Sequence, residues 1–211
     1  MAFVVAVAQR KGGAGKSTLS ANLATALAGQ GLRVALLDTD PQQTLTRWAD
    51  ERSRAGPRAL PLHLDAPAGW RLPAALDKLR RGQDVVLLDT PPHADTDARI
   101  AIRNADLVLV PLQPSSADLW AMDATLDLAR GEKRRTAIAL NRAPASGRLL
   151  AQILAELGRR DLTLLSPAIG NRTGIAQAFA AGLGVTESAP KSVAAAEMRA
   201  LAEALMASRQ G

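Results

Sequence analysis

Residues Phe3 to Ala8 form an unbroken apolar run, Lys11 to Thr18 form a glycine-rich loop, and from Leu19 onward Ala and Leu recur at helical spacing. Strand, tight loop and helix in that order constrain the chain more than any other segment. A run that is apolar at every position fits a strand buried on both faces of a sheet. The loop reads Lys11-Gly-Gly-Ala-Gly-Lys-Ser-Thr18. Its glycines turn the chain and expose backbone N–H groups at a helix N-terminus, where the helix dipole favours an anion such as phosphate.

The same alternation continues along the chain. Further strands are predicted at 33–37, 60–64, 84–88, 107–111, 136–140 and 162–165. Helices are predicted at 17–28, 43–55, 70–79, 115–129, 148–158, 174–181 and 193–207. Strands alternating with amphipathic helices imply an α/β fold: a doubly wound, mostly parallel sheet with helices on both faces. The 211 residues, 47% of them hydrophobic, suit one domain over residues 1–211. No long Ser/Pro/Gly linker divides them, and the loosest stretch, Arg52 to Pro61, reads as a surface loop. No apolar run approaches the roughly 20 residues needed to span a bilayer. Cysteine is absent, which excludes disulfides, thiolate metal sites and cysteine nucleophiles. With no cleavable signal pattern at the start, a cytoplasmic location is expected.

Three segments carry chemistry. In the loop, backbone N–H groups from Gly12, Gly13, Ala14, Gly15, Lys16, Ser17 and Thr18 would wrap phosphates; Lys16 would reach the β- and γ-phosphates and Ser17 would ligate Mg²⁺. The usual motif, G-x-x-x-x-G-K-S/T, has its first glycine at the position held here by Arg10, and a second lysine, Lys11, stands at the loop entrance. Next, Leu36-Leu-Asp-Thr-Asp-Pro-Gln42 sets Asp38 and Asp40 just past a strand end, where open parallel sheets bind ligands. Finally, Val85-Val-Leu-Leu-Asp-Thr-Pro-Pro92 ends an apolar strand on Asp89, a pattern suited to holding Mg²⁺ through water.

The double-lysine loop resembles the deviant Walker A motif of the ParA/MinD family of P-loop ATPases. Asp38 to Gln42 resembles that family's D-x-D-P-Q element, and Thr90-Pro-Pro92 its switch segment. Val110-Pro-Leu-Gln-Pro-Ser-Ser-Ala-Asp-Leu119, Leu140-Asn-Arg-Ala-Pro144 and the closing Gly182-Leu-Gly-Val-Thr-Glu187 also match, so the likeness runs from Phe3 to about Met206. The resemblance implies ATP and Mg²⁺ as ligands. It makes Asp40 the residue that orients or activates the attacking water and Asp38 a support of Mg²⁺ through its waters. It makes Asn141 a reader of the adenine edge. It also implies that Lys11 crosses a two-fold interface to phosphates bound by a partner subunit, so that ATP makes a homodimer.

The remaining question is what such a dimer binds. Between Arg130 and Arg172 there are nine basic residues (Arg130, Lys133, Arg134, Arg135, Arg142, Arg148, Arg159, Arg160 and Arg172) against three acidic ones, whereas the rest of the chain is balanced at seventeen each. That excess predicts a polyanion surface. Short ParA-like members bind DNA non-specifically through a basic surface late in the chain, which singles out Arg172, Arg148 and Arg160. The last twenty residues are Ala-rich with two arginines, unlike a basic amphipathic membrane anchor. With the loop beginning at residue 11, no N-terminal DNA-reading domain is expected. Nitrogenase-type and arsenite-type relatives need cysteines. The expected protein is therefore a nucleoid-associated ATPase, slow alone and stimulated by a ParB-like or adaptor protein linked to a cargo. That cargo could be a plasmid, a chromosome locus or a protein assembly. A MinD-like membrane-associated positioning ATPase is the alternative, and a P-loop metabolic enzyme a second rival.

Overall fold

The structure is a computed structural model that describes residues 1–92, 96–160 and 162–210. It is built on seven strands: β1 (Phe3–Val7), β2 (Val34–Asp38), β3 (His63–Asp65), β4 (Val85–Asp89), β5 (Leu107–Leu112), β6 (Arg135–Leu140) and β7 (Leu164–Leu165). They form one sheet in the order β3-β2-β4-β1-β5-β6-β7, and every pairing is parallel. The described residues also form nine helices, six between successive strands and three after β7: α1 (Lys16–Gly29), α2 (Thr44–Ala55), α3 (Leu72–Gly82), α4 (Thr96–Asn104), α5 (Ser116–Gly131), α6 (Arg148–Arg159), α7 (Thr173–Ala180), α8 (Val185–Ser188) and α9 (Val193–Ala207).

Alternation along the strands divides the core in two. Phe3, Val5 and Val7 of β1 face one layer with Leu23 and Leu27 of α1, Trp48 of α2, and Met198, Leu201 and Leu205 of α9. Val4 and Ala6 face the other, with Leu72 and Leu76 of α3, Ile102 of α4, Met122 and Leu126 of α5, and Ile153 and Leu157 of α6. Helices therefore cover both faces, as a continuously apolar parallel sheet demands. Each fully buried Leu, Ile or Phe contributes about 1.5–3 kcal/mol.

The expected architecture stands, with three local differences. The predicted strand 60–64 is displaced to His63–Asp65, because residues around Leu60 are held by side chains instead of a neighbouring strand. The predicted helix at 70–79 becomes a 3₁₀ turn, Gly69–Arg71, followed by α3, with Pro73 in its first turn. Helices α4 and α8 were not anticipated. Ala98, Ala101, Ile102 and Ala105 are all buried at helical spacing, so the pattern for α4 was present in the sequence. Helix α8 has four residues, too few for any periodicity to show.

A buried ion pair ties the end of the chain to its middle. Arg52 of α2 donates to both carboxylate oxygens of Glu187, at 2.7 and 2.9 Å, and to the carbonyl of Gly182 at 3.0 Å. Glu187 also accepts from the backbone N–H of Leu60 and of Gly184. The guanidinium lies 5.0 Å from the Trp48 ring centroid. Removing one partner leaves the other charged and desolvated, which costs about 3–5 kcal/mol. Glu187→Ala is therefore expected to lower the free energy of unfolding by that amount in urea titrations, whereas breaking the exposed Arg130–Asp127 pair changes it by under about 1 kcal/mol.

Candidate nucleotide site

The carboxyl ends of β1, β2 and β4 lie side by side. Register pairs Val7 with Asp89 and Asp38 with Asp89, so the two aspartates end adjacent strands at one level. The loop leaves β1 and enters α1 between them. Helix α1 starts without a side-chain cap, its N-cap being Gly15 in the left-handed region at φ 90°. The N–H groups of its first turn thus point into the space above the sheet with no protein acceptor of their own helix. A Cβ on Gly15 would sit 2.5 Å from Asn141 Nδ2, so both backbone conformation and space require glycine. Arg10, where the usual motif has glycine, does not have a positive φ, which explains why a side chain is tolerated there.

Electrostatics concentrate on Asp89. It is fully buried, and neither carboxylate oxygen has a hydrogen-bond partner among the described residues. Burial pushes its carboxyl up from 3.8 to about 7; the nearby Ser17 hydroxyl and Lys16 oppose the rise, while Asp38 and Asp40 add to it. The Ser17 hydroxyl favours the charged form without completing a hydrogen bond. Burial likewise lowers the Lys16 ammonium, against the charges of Asp89 and Asp40. Its Nζ donates to the carbonyl of Gln9 at 3.3 Å. An orphaned, buried carboxylate beside a hydroxyl and a lysine is a donor set suited to a hard cation that takes its other ligands from phosphate and water. Asp89 and Ser17 thus fit Mg²⁺.

Other expected residues are placed differently from a bare ligand shell. Asp38 spends both oxygens on its own loop: Oδ1 accepts from Asp40 N at 3.1 Å, and Oδ2 from Thr46 N and Oγ1 at 2.9 and 3.1 Å. It fixes the turn that carries Asp40 and caps α2. Asp40 is half-buried, and its Oδ1 accepts from Gln42 N at 2.9 Å. Asn141 is buried; its Nδ2 donates to Ala14 O at 3.1 Å and its Oδ1 accepts from Arg142 N, so in this geometry it braces the loop. Gly12 and Gly13 are exposed, while Ala14 is buried under them. Lys11 turns back on its own subunit and pairs with Asp118.

Two loop-bracing groups were missed in the sequence. Gln113 donates to the carbonyl of Gly13 at 2.9 Å, and Asp118 holds Lys11. Both lie in the segment Val110 to Leu119. The S-x-x-D spacing of Ser115 and Asp118 is a helix N-terminus signal, and in the structure Ser115 caps α5 by accepting from the Asp118 N–H.

The three arginines proposed for DNA do not stand alike. Arg172 pairs with Glu197 at 2.6 Å, and Arg160 with Glu156 and Asp123. Arg148 is exposed and unpaired among the described residues. The basic segment does not form one patch either. Arg135 opens β6 and Arg142 follows its far end, about 20 Å away for a strand of this length. Arg130 and Arg159 are offset by neighbouring acids. A single polyanion surface over 130–172 is thereby corrected to two separate ends.

Residues 5–185 match the CobQ/CobB/MinD/ParA nucleotide-binding domain family. The chain is 28% identical to the maintenance of carboxysome distribution protein A of Halothiobacillus neapolitanus, over 93% of its length and 92% of that protein. It is 32% identical to the chromosome-partitioning ATPase Soj of Thermus thermophilus, over 96% and 95% respectively. The structure of apo McdA from Cyanothece superposes with a TM-score of 0.81 at 20% identity, covering 97% of this chain and 100% of that one.

Two outcomes follow from the geometry. Gly15→Ala strains the loop by about 1–3 kcal/mol and drives its methyl into Asn141. Nucleotide affinity measured by calorimetry is expected to fall by at least about tenfold while the circular dichroism of the protein is retained. Asp89 has a higher carboxyl pKa in the folded, nucleotide-free chain than in the unfolded one. The folded state therefore binds more protons between about pH 4 and pH 7, and stability falls as pH rises through that window. Asp89→Asn is expected to melt above the parent near pH 8, with the gap shrinking near pH 5.

Given these observations, the chain belongs to the CobQ/CobB/MinD/ParA family of nucleotide-binding domains.

Proposed function

We propose that this protein is a Mg²⁺-dependent ATPase that dimerises with ATP, binds DNA non-specifically, and positions a cargo through partner-stimulated hydrolysis. The observation that carries the reading is the orphaned Asp89 beside Lys16 and Ser17 at the uncapped start of α1. It is a site that is electrostatically incomplete until a phosphate and a cation arrive. Relatives named for carboxysome distribution and chromosome partitioning support the positioning role.

Each residue has a task in that reading. The first-turn N–H groups of α1 and Lys16 hold the phosphates, and these contacts strengthen as charge moves toward the β–γ bridge. Ser17 and Asp89, with Asp38 behind them, hold Mg²⁺, which when bound neutralises charge on the phosphates. Asp40, kept in place by the Asp38 turn, orients the attacking water. Lys11 supplies a cation to the partner subunit's nucleotide, as an arginine finger does. Thr90, whose hydroxyl donates to the Val7 carbonyl at 2.9 Å, links the switch segment to the strand that feeds the loop.

DNA binding rests on the exposed arginines, among them Arg148, which has no ion pair among the described residues. The membrane alternative needs an unspent amphipathic face; the apolar face of α9 is buried against α1 and the strands. Light scattering with ATP, ADP or no nucleotide tests the reading. A dimer is expected with ATP alone, and Asp40→Ala should accumulate that dimer while phosphate release falls by about 100-fold or more. Retention on generic duplex should then drop steeply with salt, and more for Arg148→Glu than for Arg160→Glu. A protein that stays monomeric with ATP, or turns over a small metabolite as a monomer, would overturn it.

A further inference from the structure

The end of the sheet opposite the nucleotide loop carries its own concentration of positive charge. Where β1, β5 and β6 begin, a cavity of about 480 Å³ is lined by Arg80, Lys133, Arg134, Arg135 and Arg209, with Asp106 the one acid on its walls among the described residues. Arg80 lies in the last turn of α3, Lys133 to Arg135 lead from α5 into β6, and Arg209 follows α9. Three of the guanidiniums are aimed by neutral acceptors. Arg80 donates to the Asn104 carbonyl at 3.0 Å, Arg135 to the Ser208 carbonyl at 3.0 Å, and Arg209 to the Met1 carbonyl at 2.6 Å. The Nε of Arg134 is buried and has no hydrogen-bond partner among the described residues. The neighbouring carboxylates are committed elsewhere. Asp106 accepts from the Val4 N–H at 2.8 Å; Asp84, within reach of the Arg209 charge, is paired with Arg33; Glu132, beside Arg134, is paired with Arg99 and Arg103. None of the five cations makes an ion pair among the described residues. Helices α3, α5 and α9 all end here, and each helix end supplies about half a negative charge. Three such ends and one carboxylate do not balance five cations.

We infer that this cavity is a second anion site, one that takes a small ligand bearing several phosphate groups in a row. Four of its five cations are arginines, whose planar forks bind phosphate oxygens two at a time. Its volume falls within the range of about 300–1,000 Å³ typical of small-molecule sites. The concave shape decides the class of ligand. A duplex carries its phosphates on the outside of a wide convex cylinder and meets cations on a flat or raised face. A short chain of phosphates enters a cavity and reaches several cations at once, the half-buried Arg134 included. The five residues of β1, a length of about 16 Å, separate the cavity from the nucleotide loop, so the two sites hold separate ligands.

Tripolyphosphate is the probe, titrated by calorimetry in buffer free of divalent cations. Lys16→Ala weakens the nucleotide loop as a competing phosphate site and leaves the far end of the sheet untouched. Lys133→Gln and Arg209→Gln are then added to it one at a time; both side chains are exposed, so the fold is retained, and circular dichroism checks that it is. The expected result is that Lys16→Ala still binds one equivalent of tripolyphosphate. Each added substitution weakens that binding by about tenfold or more, because each removes a charge-assisted contact. Arg148→Gln, at the other end of the sheet, leaves it unchanged. Loss of all tripolyphosphate binding in Lys16→Ala overturns the inference, as does binding that Lys133→Gln and Arg209→Gln leave at the parent level. A short DNA duplex is titrated in parallel. Duplex binding that the two substitutions abolish, in a protein that does not take tripolyphosphate, assigns these cations to a DNA surface and also overturns the inference.

Discussion

The rest of the structure depends on one electrostatic constraint: Asp89 must sit at the buried carboxyl end of a central strand, where water cannot reach it. Strand β4 lies between β1 and β2, so its last residue is enclosed by both neighbours and by the loop. A carboxylate in that place is expensive to ionise, which is why its pKa climbs toward neutrality. Lys16 meets the matching difficulty from the cationic side, desolvated and directed at a backbone carbonyl. Neither group satisfies the other by direct contact in the ligand-free geometry. A phosphate and a divalent cation would satisfy both, which is the role proposed for them here.

That constraint also explains which parts were legible in the sequence. The loop, Asp38, Asp40 and Asp89 were found because each is announced by the end of an apolar run, and runs of that kind are set by burial on both sheet faces. Helix α4 had equally good spacing in Ala98, Ala101, Ile102 and Ala105, but alanines carry little weight beside the Thr-Pro-Pro and the polar residues before them. The roles of Asp38, Asn141 and Lys11 were less legible because they depend on partners far along the chain or on loop turns. Asn141 reaches Ala14 across 127 positions and Lys11 reaches Asp118 across 107, distances at which no local pattern speaks.

Charge was the feature most distorted by reading along the chain. A local excess over some forty residues looks like a patch only if the segment lies on one surface. Here the segment runs up β6 and back down α6, so it visits both ends of the sheet in turn. Helical spacing then supplies acids such as Glu156 to offset Arg159 and Arg160. What counts for a polyanion is the unpaired charge on one face, which leaves Arg148 better placed than Arg172 or Arg160 despite equal formal charge.

A common device runs through the site: carboxylates that serve by holding other groups. Asp38 fixes the turn under Asp40, Asp118 fixes the start of α5 and the end of Lys11, and Glu187 fixes Arg52 beneath the closing segment. Each is buried, and each therefore commits its neighbours to a single arrangement, because an unpaired buried charge has no cheap alternative. Such holding is compatible with a switch only where the held group has a better partner in the second state. Arg52 has none outside its network, so that pair is structural. Lys11 would have one in the proposed reading, a nucleotide phosphate, and its side chain is partly exposed. The two pairs differ in exposure: the Arg52 and Glu187 side chains are both buried, whereas Lys11 is partly in water, so breaking the Lys11 pair costs less desolvation on the cationic side.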